Sequence, residues 1–110
     1  MMDEFIVVLV TTSGKEEADA IATQLISAGL SPCVNIITSC HSIYQWKGEF
    51  RRDDEALMLI KSRRSDFPEL ERLVEKKHSY DVPEILALDI ADISERYQGY
   101  FADFFKHEIQ

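Results

Sequence analysis

Residues 33–62 read CVNIITSCHSIYQW, then KG, then EFRRDDEALMLIKS. From Cys33 to Trp46, β-branched and aromatic residues dominate and no apolar stripe of helical spacing emerges, which predicts an extended segment. Lys47 and Gly48 form a tight turn, and Glu49 to Ser62 returns as the second arm of a long hairpin. Both arms exceed the usual strand of about 5–6 residues, so a bend, a bulge or an overhang beyond the sheet body is expected. Ala56 to Ile60 is apolar on both faces, the pattern of a doubly buried strand.

On the N-terminal side, Phe5 to Val10 is a second unbroken apolar run, ended by Thr11, Thr12, Ser13 and Gly14. A helix is predicted to follow. Ser13 and Glu16 have the spacing of a capping box, Ala18, Ile21, Ala22 and Leu25 form one apolar stripe, and Gly29 supplies the stop. On the C-terminal side, Asp66 and Glu69 repeat the capping-box spacing. Pro68 suits a first turn, and Phe67, Leu70, Leu73 and Val74 carry a helical stripe to about Lys77. A polar loop, His78 to Glu84, leads to a strand at Ile85 to Ile90. A last helix from about Ser94 has Tyr97, Tyr100, Phe101, Phe104 and Phe105 on an aromatic-rich face.

The order strand, helix, strand, strand, helix, strand, helix is that of an α+β ferredoxin-like βαββαβ sandwich with a long central hairpin and an extra C-terminal helix. Right-handed crossovers put both crossover helices on one face of the sheet. The other face is then apolar and open, and one short terminal helix is too small to shield four strands. A homo-oligomer is the expected solution.

With 110 residues and 45% hydrophobic composition, the chain is expected to form a single domain over residues 1–110 with a core that needs no metal or disulfide staple. Twelve Lys and Arg against twenty Asp and Glu give a net charge of -8, which repels polyanions, so neither nucleic acid nor an anionic membrane surface is an expected partner. The first residues have no basic segment ahead of a long apolar run, and a cytoplasmic location is expected. Cys33 and Cys40 are seven residues apart in an extended run, too far for a disulfide, and are expected as thiols.

Chemistry is expected at the His78 to Glu84 loop, where His78, Tyr80, Asp81 and Glu84 gather an imidazole, a phenol and two carboxylates. His78 has two readings: a metal ligand oriented by a carboxylate, or a helix C-terminal histidine whose positive form the helix dipole favours. Tyr44 and Trp46 share one side of their strand and form either a stacking platform or part of an interface. Ser13, Gly14 and Lys15 do not make a phosphate-binding loop, because Leu9 stands where the first glycine belongs and Glu16 where a Ser or Thr belongs. No paired Cys or His has zinc spacing, and no nucleophile elbow is present.

Several ordered motifs resemble the CutA family of divalent-cation tolerance proteins: CVNII at Cys33 to Ile37, SIYQWKG at Ser42 to Gly48, and YDVPEI at Tyr80 to Ile85. The resemblance spans nearly the whole chain. It implies a tight homotrimer with an architecture similar to that of the PII signalling proteins, and a non-catalytic role in tolerance of divalent metals, copper above all. Carried over by position, it implies His78 as the metal residue, and Tyr44, Trp46, Lys61, Tyr80 and Glu84 as an inter-subunit pocket.

Thr11 stands where some bacterial members have a cysteine, Lys77 where they have a second histidine, and Ser79 where a proline is usual. A copper site built on that thiol therefore does not transfer intact, since a hydroxyl is a poor ligand for soft copper. The leading expectation is a protein that binds copper(II) or another divalent cation, copper(II) ranking first by intrinsic affinity. The alternative is a PII-like trimeric small-molecule sensor or interaction scaffold, in which Lys61 would favour an anionic ligand.

Overall fold

The computed structural model describes residues 4–108, with side chains to residue 106. The expected order is present as β1 (Phe5–Thr12), α1 (Lys15–Ser27), β2 (Val34–Trp46), β3 (Glu49–Arg63), α2 (Phe67–Lys77), β4 (Ile85–Asp89) and α3 (Glu95–Glu108). The sheet is antiparallel throughout and ordered β2-β3-β1-β4, the ferredoxin-like arrangement. Strand β1 pairs along its whole length with β3, from Phe5 opposite Arg63 to Thr12 opposite Ala56. The hairpin beyond Ala56 therefore projects past the end of β1, as the arm lengths predict.

Alternation decides which face is the core. Ile6, Val8 and Val10 of β1 and Ala56, Met58 and Ile60 of β3 are buried against Ala18, Ile21 and Leu25 of α1 and Leu70 and Val74 of α2. Both crossover helices thus cover one face. The opposite face carries Val7 and Leu9, Leu57 and Leu59, and the half-exposed Ile37, Leu86 and Leu88. Only its Phe5 end is covered, by α3. There Phe101 packs edge-on against Phe5 with ring centroids 4.7 Å apart, the Arg63 guanidinium lies 4.2 Å from the Phe105 ring centre, and the Tyr100 hydroxyl donates to the Pro32 carbonyl at 3.0 Å.

Of the expected alternatives, a bulge is present in β2 in addition to the overhang. Ile37 is opposite Leu57 but Cys40 is opposite Glu55, so β2 advances three residues while β3 advances two. One extra residue reverses the alternation of all that follows it. Cys40, Ser42, Tyr44 and Trp46 are therefore paired with Glu55, Asp53, Arg51 and Glu49, and continue the open face instead of the helix face. Cys33 and Cys40 are free thiols.

Neither predicted capping box forms. Gly14 is the N-cap of α1 and contributes no side chain, so the third helical residue is Glu17 and not Glu16. The Glu17 carboxylate accepts the Ser13 backbone N–H at 3.0 Å and the Ser13 hydroxyl at 2.9 Å, and also the Ser79 backbone N–H at 2.7 Å and the Ser79 hydroxyl at 3.2 Å. It ties the start of α1 to the loop after α2. In the second case a short 3-10 turn, Arg64–Asp66, leaves Asp66 with helical backbone angles, and its carboxylate turns to the Arg63 Nε at 2.8 Å instead of capping α2.

Two stability predictions follow from this packing. Phe101 of α3 is fully buried against Phe5 of β1, so Phe101→Ala is expected to cost about 3–5 kcal/mol, read as a lowered midpoint in guanidinium unfolding; an unchanged midpoint would detach α3 from the core. Burial disfavours the Glu17 carboxylate, but the Ser13 and Ser79 hydrogen bonds outweigh it and hold this carboxyl below its ordinary value of 4.5. A depressed folded-state pKa gives stability that is present above the unfolded value and is lost as pH falls through the folded one. Glu17→Gln is thus expected to cost about 1–3 kcal/mol at neutral pH, with the gap from wild type narrowing below about pH 4. A gap independent of pH would contradict the charged role.

Candidate functional site

Where the hairpin overhangs β1, it meets the loop between α2 and β4, and the two enclose a groove of about 620 Å³. One wall is the open face of the hairpin, with Tyr44 and Trp46 from β2 and Arg51, Asp53 and Glu55 from β3. The other wall is the loop, with Tyr80, Asp81, Val82 and Glu84, and Thr11 forms part of the floor. The bulge makes this wall. Without the extra residue in β2, Tyr44 would point to the helix side and the platform would not face Tyr80.

Two tyrosine–carboxylate pairs fix the walls. The Tyr80 hydroxyl donates to the buried Glu55 carboxylate at 2.7 Å, a bond that spans loop and hairpin. Burial and the adjacent Glu55 charge raise the Tyr80 phenol well above its ordinary value, so it stays protonated and donates at any physiological pH. The Tyr44 hydroxyl donates to Asp53 across the hairpin, and that bond raises the Tyr44 phenol too. Neither phenol is a base.

His78 lies behind the loop wall with its side chain fully buried. Its Nδ1 accepts the Tyr80 backbone N–H at 3.1 Å, and its Nε2 contacts the Thr11 carbonyl at 2.7 Å. A carbonyl accepts only, so Nε2 carries the proton and Nδ1 does not: the ring is neutral in this arrangement. The Glu17 carboxylate is 3.9 Å from Nδ1. Both ring nitrogens are engaged. The ring also packs on that of Tyr80 with centroids 4.7 Å apart, so His78 sets the loop's course from the inside.

The structure brings Tyr44, Trp46, Tyr80 and Glu84 together along the groove and places His78 beneath it. Lys61 is elsewhere on the same sheet face. It pairs opposite Val7 and its Nζ is 3.7 Å from Cys33 Sγ, toward the end covered by α3. Sequence reading passed over Asp53, Glu55 and Glu17. The first two become visible only with the bulged register, and the Glu17 contact with Ser79 spans 62 residues and has no local signature. For a metal, one subunit offers separate donors only: among the described residues, no group of three or more His, Cys, Asp or Glu converges. A closed copper centre does not fit these residues within a single subunit. Among the described residues, no helix is long and apolar enough to cross a membrane.

Residues 6–103 match the family model of the CutA1 divalent ion tolerance protein. The divalent-cation tolerance protein CutA of Thermus thermophilus is 44% identical over 91 residues, which cover 83% of this chain and 88% of that protein. The chloroplastic protein CutA of Arabidopsis thaliana is 39% identical over 92 residues, 84% of this chain and 50% of the longer relative. The crystal structure of CutA1 from Oryza sativa superposes with a TM-score of 0.89 at 37% identity, covering 93% of this chain and 94% of that one. Motifs, sheet order and overall superposition agree, and the chain belongs to the CutA1 family of divalent ion tolerance proteins.

Proposed function

We propose that this protein serves divalent-cation tolerance as a non-catalytic homotrimer, with the acidic groove and its buried His78 as the site of cation uptake. The supporting observation is the charge of the groove: Asp53, Glu55, Asp81 and Glu84 stand against the single guanidinium of Arg51 among its lining residues. Such a wall draws cations toward it. Copper(II) ranks first among first-row divalent ions at imidazole and carboxylate donors. Ligation by His78 requires Nδ1 to exchange the Tyr80 N–H for the metal, and donors from a second subunit to complete the set. The open apolar face, with Ile37, Leu86 and Leu88 each about half exposed, is the surface by which copies associate.

A second reading, a PII-like small-molecule sensor or interaction scaffold, is favoured by a different observation. The groove is far larger than an ion, is walled by Tyr44, Trp46 and Tyr80, and leaves His78 committed to backbone partners. Aromatic walls contribute to binding an organic molecule and contribute little to a bare metal ion.

Equilibrium dialysis against copper(II) is expected to show stoichiometric uptake by the wild type and at least a tenfold weaker uptake by His78→Ala, in line with the roughly 10–100-fold losses typical of metal-site changes. Equal uptake by both would remove His78 from the site. For assembly, sedimentation at micromolar concentration is expected to give a trimer for the wild type and a smaller species for the double variant Leu86→Glu, Leu88→Glu. A wild-type monomer would overturn the assembly.

A further inference from the structure

The groove's charges are spread along its two walls and do not converge. Asp53 and Glu55 are two residues apart on the same face of the hairpin, which places their Cα atoms about 7 Å apart. Asp81 and Glu84 belong to the opposite, loop wall, and among the described residues neither forms an ion pair. A compact metal ion needs three or more donors around one point, and that is absent within the described chain. Carboxylates on two facing walls suit instead a ligand with two positive centres and some length between them.

The aromatic groups favour the same ligand. Tyr44 and Trp46 are each about two-fifths exposed, at 38% and 41%, and both border the groove. Their phenol and indole faces are negative at the centre and attract ammonium groups. The Trp46 ring already shows this preference, since the Lys47 ammonium stands 5.8 Å from its centre. Tyr44 and Tyr80 are held upright by hydrogen bonds to Asp53 and Glu55, so the walls are preorganised and little side-chain freedom is lost on binding. Within one chain, Lys61, the residue that argued for an anionic ligand, lies outside the groove lining.

We infer that the groove binds a small linear organic diamine, one ammonium held between the Asp53 and Glu55 wall and the Trp46 face, the other by Asp81 and Glu84 on the loop. This rests on the small-molecule reading of the groove and names its ligand class. Arg51 borders the same groove and disfavours ligands with additional positive charge near the hairpin tip. Selectivity for two charges over one comes from occupying both acidic walls at once.

Trp46 is the sole tryptophan of the chain, so its fluorescence reports this groove directly. Titration of the full chain with 1,4-diaminobutane, with a chelator present to remove metal, is expected to give a saturable change in Trp46 emission. Butylamine is expected to bind at least about tenfold more weakly, and Glu84→Gln and Asp53→Asn to weaken the diamine roughly threefold to tenfold each. Asp54→Asn, on the outer face of the hairpin and paired with His41, is expected to bind as the wild type does. Equal affinity for butylamine and the diamine would overturn the two-centre ligand. Saturable binding of succinate in place of the diamine would overturn the cationic class while leaving the groove a small-molecule site. No saturable response to any of the three, by fluorescence and by calorimetry, would overturn the diamine and the small-molecule reading together.

Discussion

One extra residue in β2, between Ile37 and Cys40, determines on which side of the sheet the groove opens. A strand alternates strictly, so an inserted residue transfers every following side chain to the other face. Before the insertion, Val34 and Ile36 pack on the core beneath the helices. After it, Tyr44, Ser42 and Cys40 stand opposite Arg51, Asp53 and Glu55 on the open face. The groove, the two tyrosine–carboxylate pairs and the contact of the loop with the hairpin all depend on that change of side.

The loop wall is positioned from beneath. Glu17 holds the backbone at Ser13 and Ser79 with one carboxylate, and His78 links the Thr11 carbonyl to the Tyr80 amide with one ring. Two segments that are distant in sequence, the end of β1 with its turn into α1 and the α2–β4 loop, are thereby joined by two side chains. From there the Tyr80 hydroxyl reaches Glu55 on the hairpin. The site is thus supported by a continuous set of polar contacts running from the helix layer to the open face, with the core of Ile6, Val8, Met58 and Ile60 as its rigid base.

The fold was legible in the sequence because it rests on periodicity. Apolar runs at Phe5 to Val10 and Ala56 to Ile60, helical stripes at Ala18 to Leu25 and Phe67 to Val74, and the Lys47-Gly48 turn give the element order directly, and the arm lengths called for a bend, a bulge or an overhang, of which the hairpin has a bulge and an overhang. The polar loop was legible as a cluster, and the structure sets its Tyr80, Asp81 and Glu84 along the groove. What escaped was long-range partnership: whether Asp53 and Glu55 face the helices or the groove depends on one residue of register, and the choice of Glu17 over Glu16 depends on where the first turn of α1 closes. Lys61 was assigned by resemblance to a pocket between subunits, and within one subunit its ammonium lies beside Cys33.

The sheet order leaves β2 and β4 as its margins, and β2 is thirteen residues long. A margin of that length carries a row of backbone donors and acceptors open to any extended chain it meets. The bulge interrupts the row midway and limits how many bonds an intruding strand makes in register. In a single chain this margin lies open, as does the apolar face that carries Ile37, Leu86 and Leu88. An extended segment of another chain that met this margin would find hydrogen-bonding partners only as far as the bulge, so the residue that builds the groove also shortens the template the sheet offers.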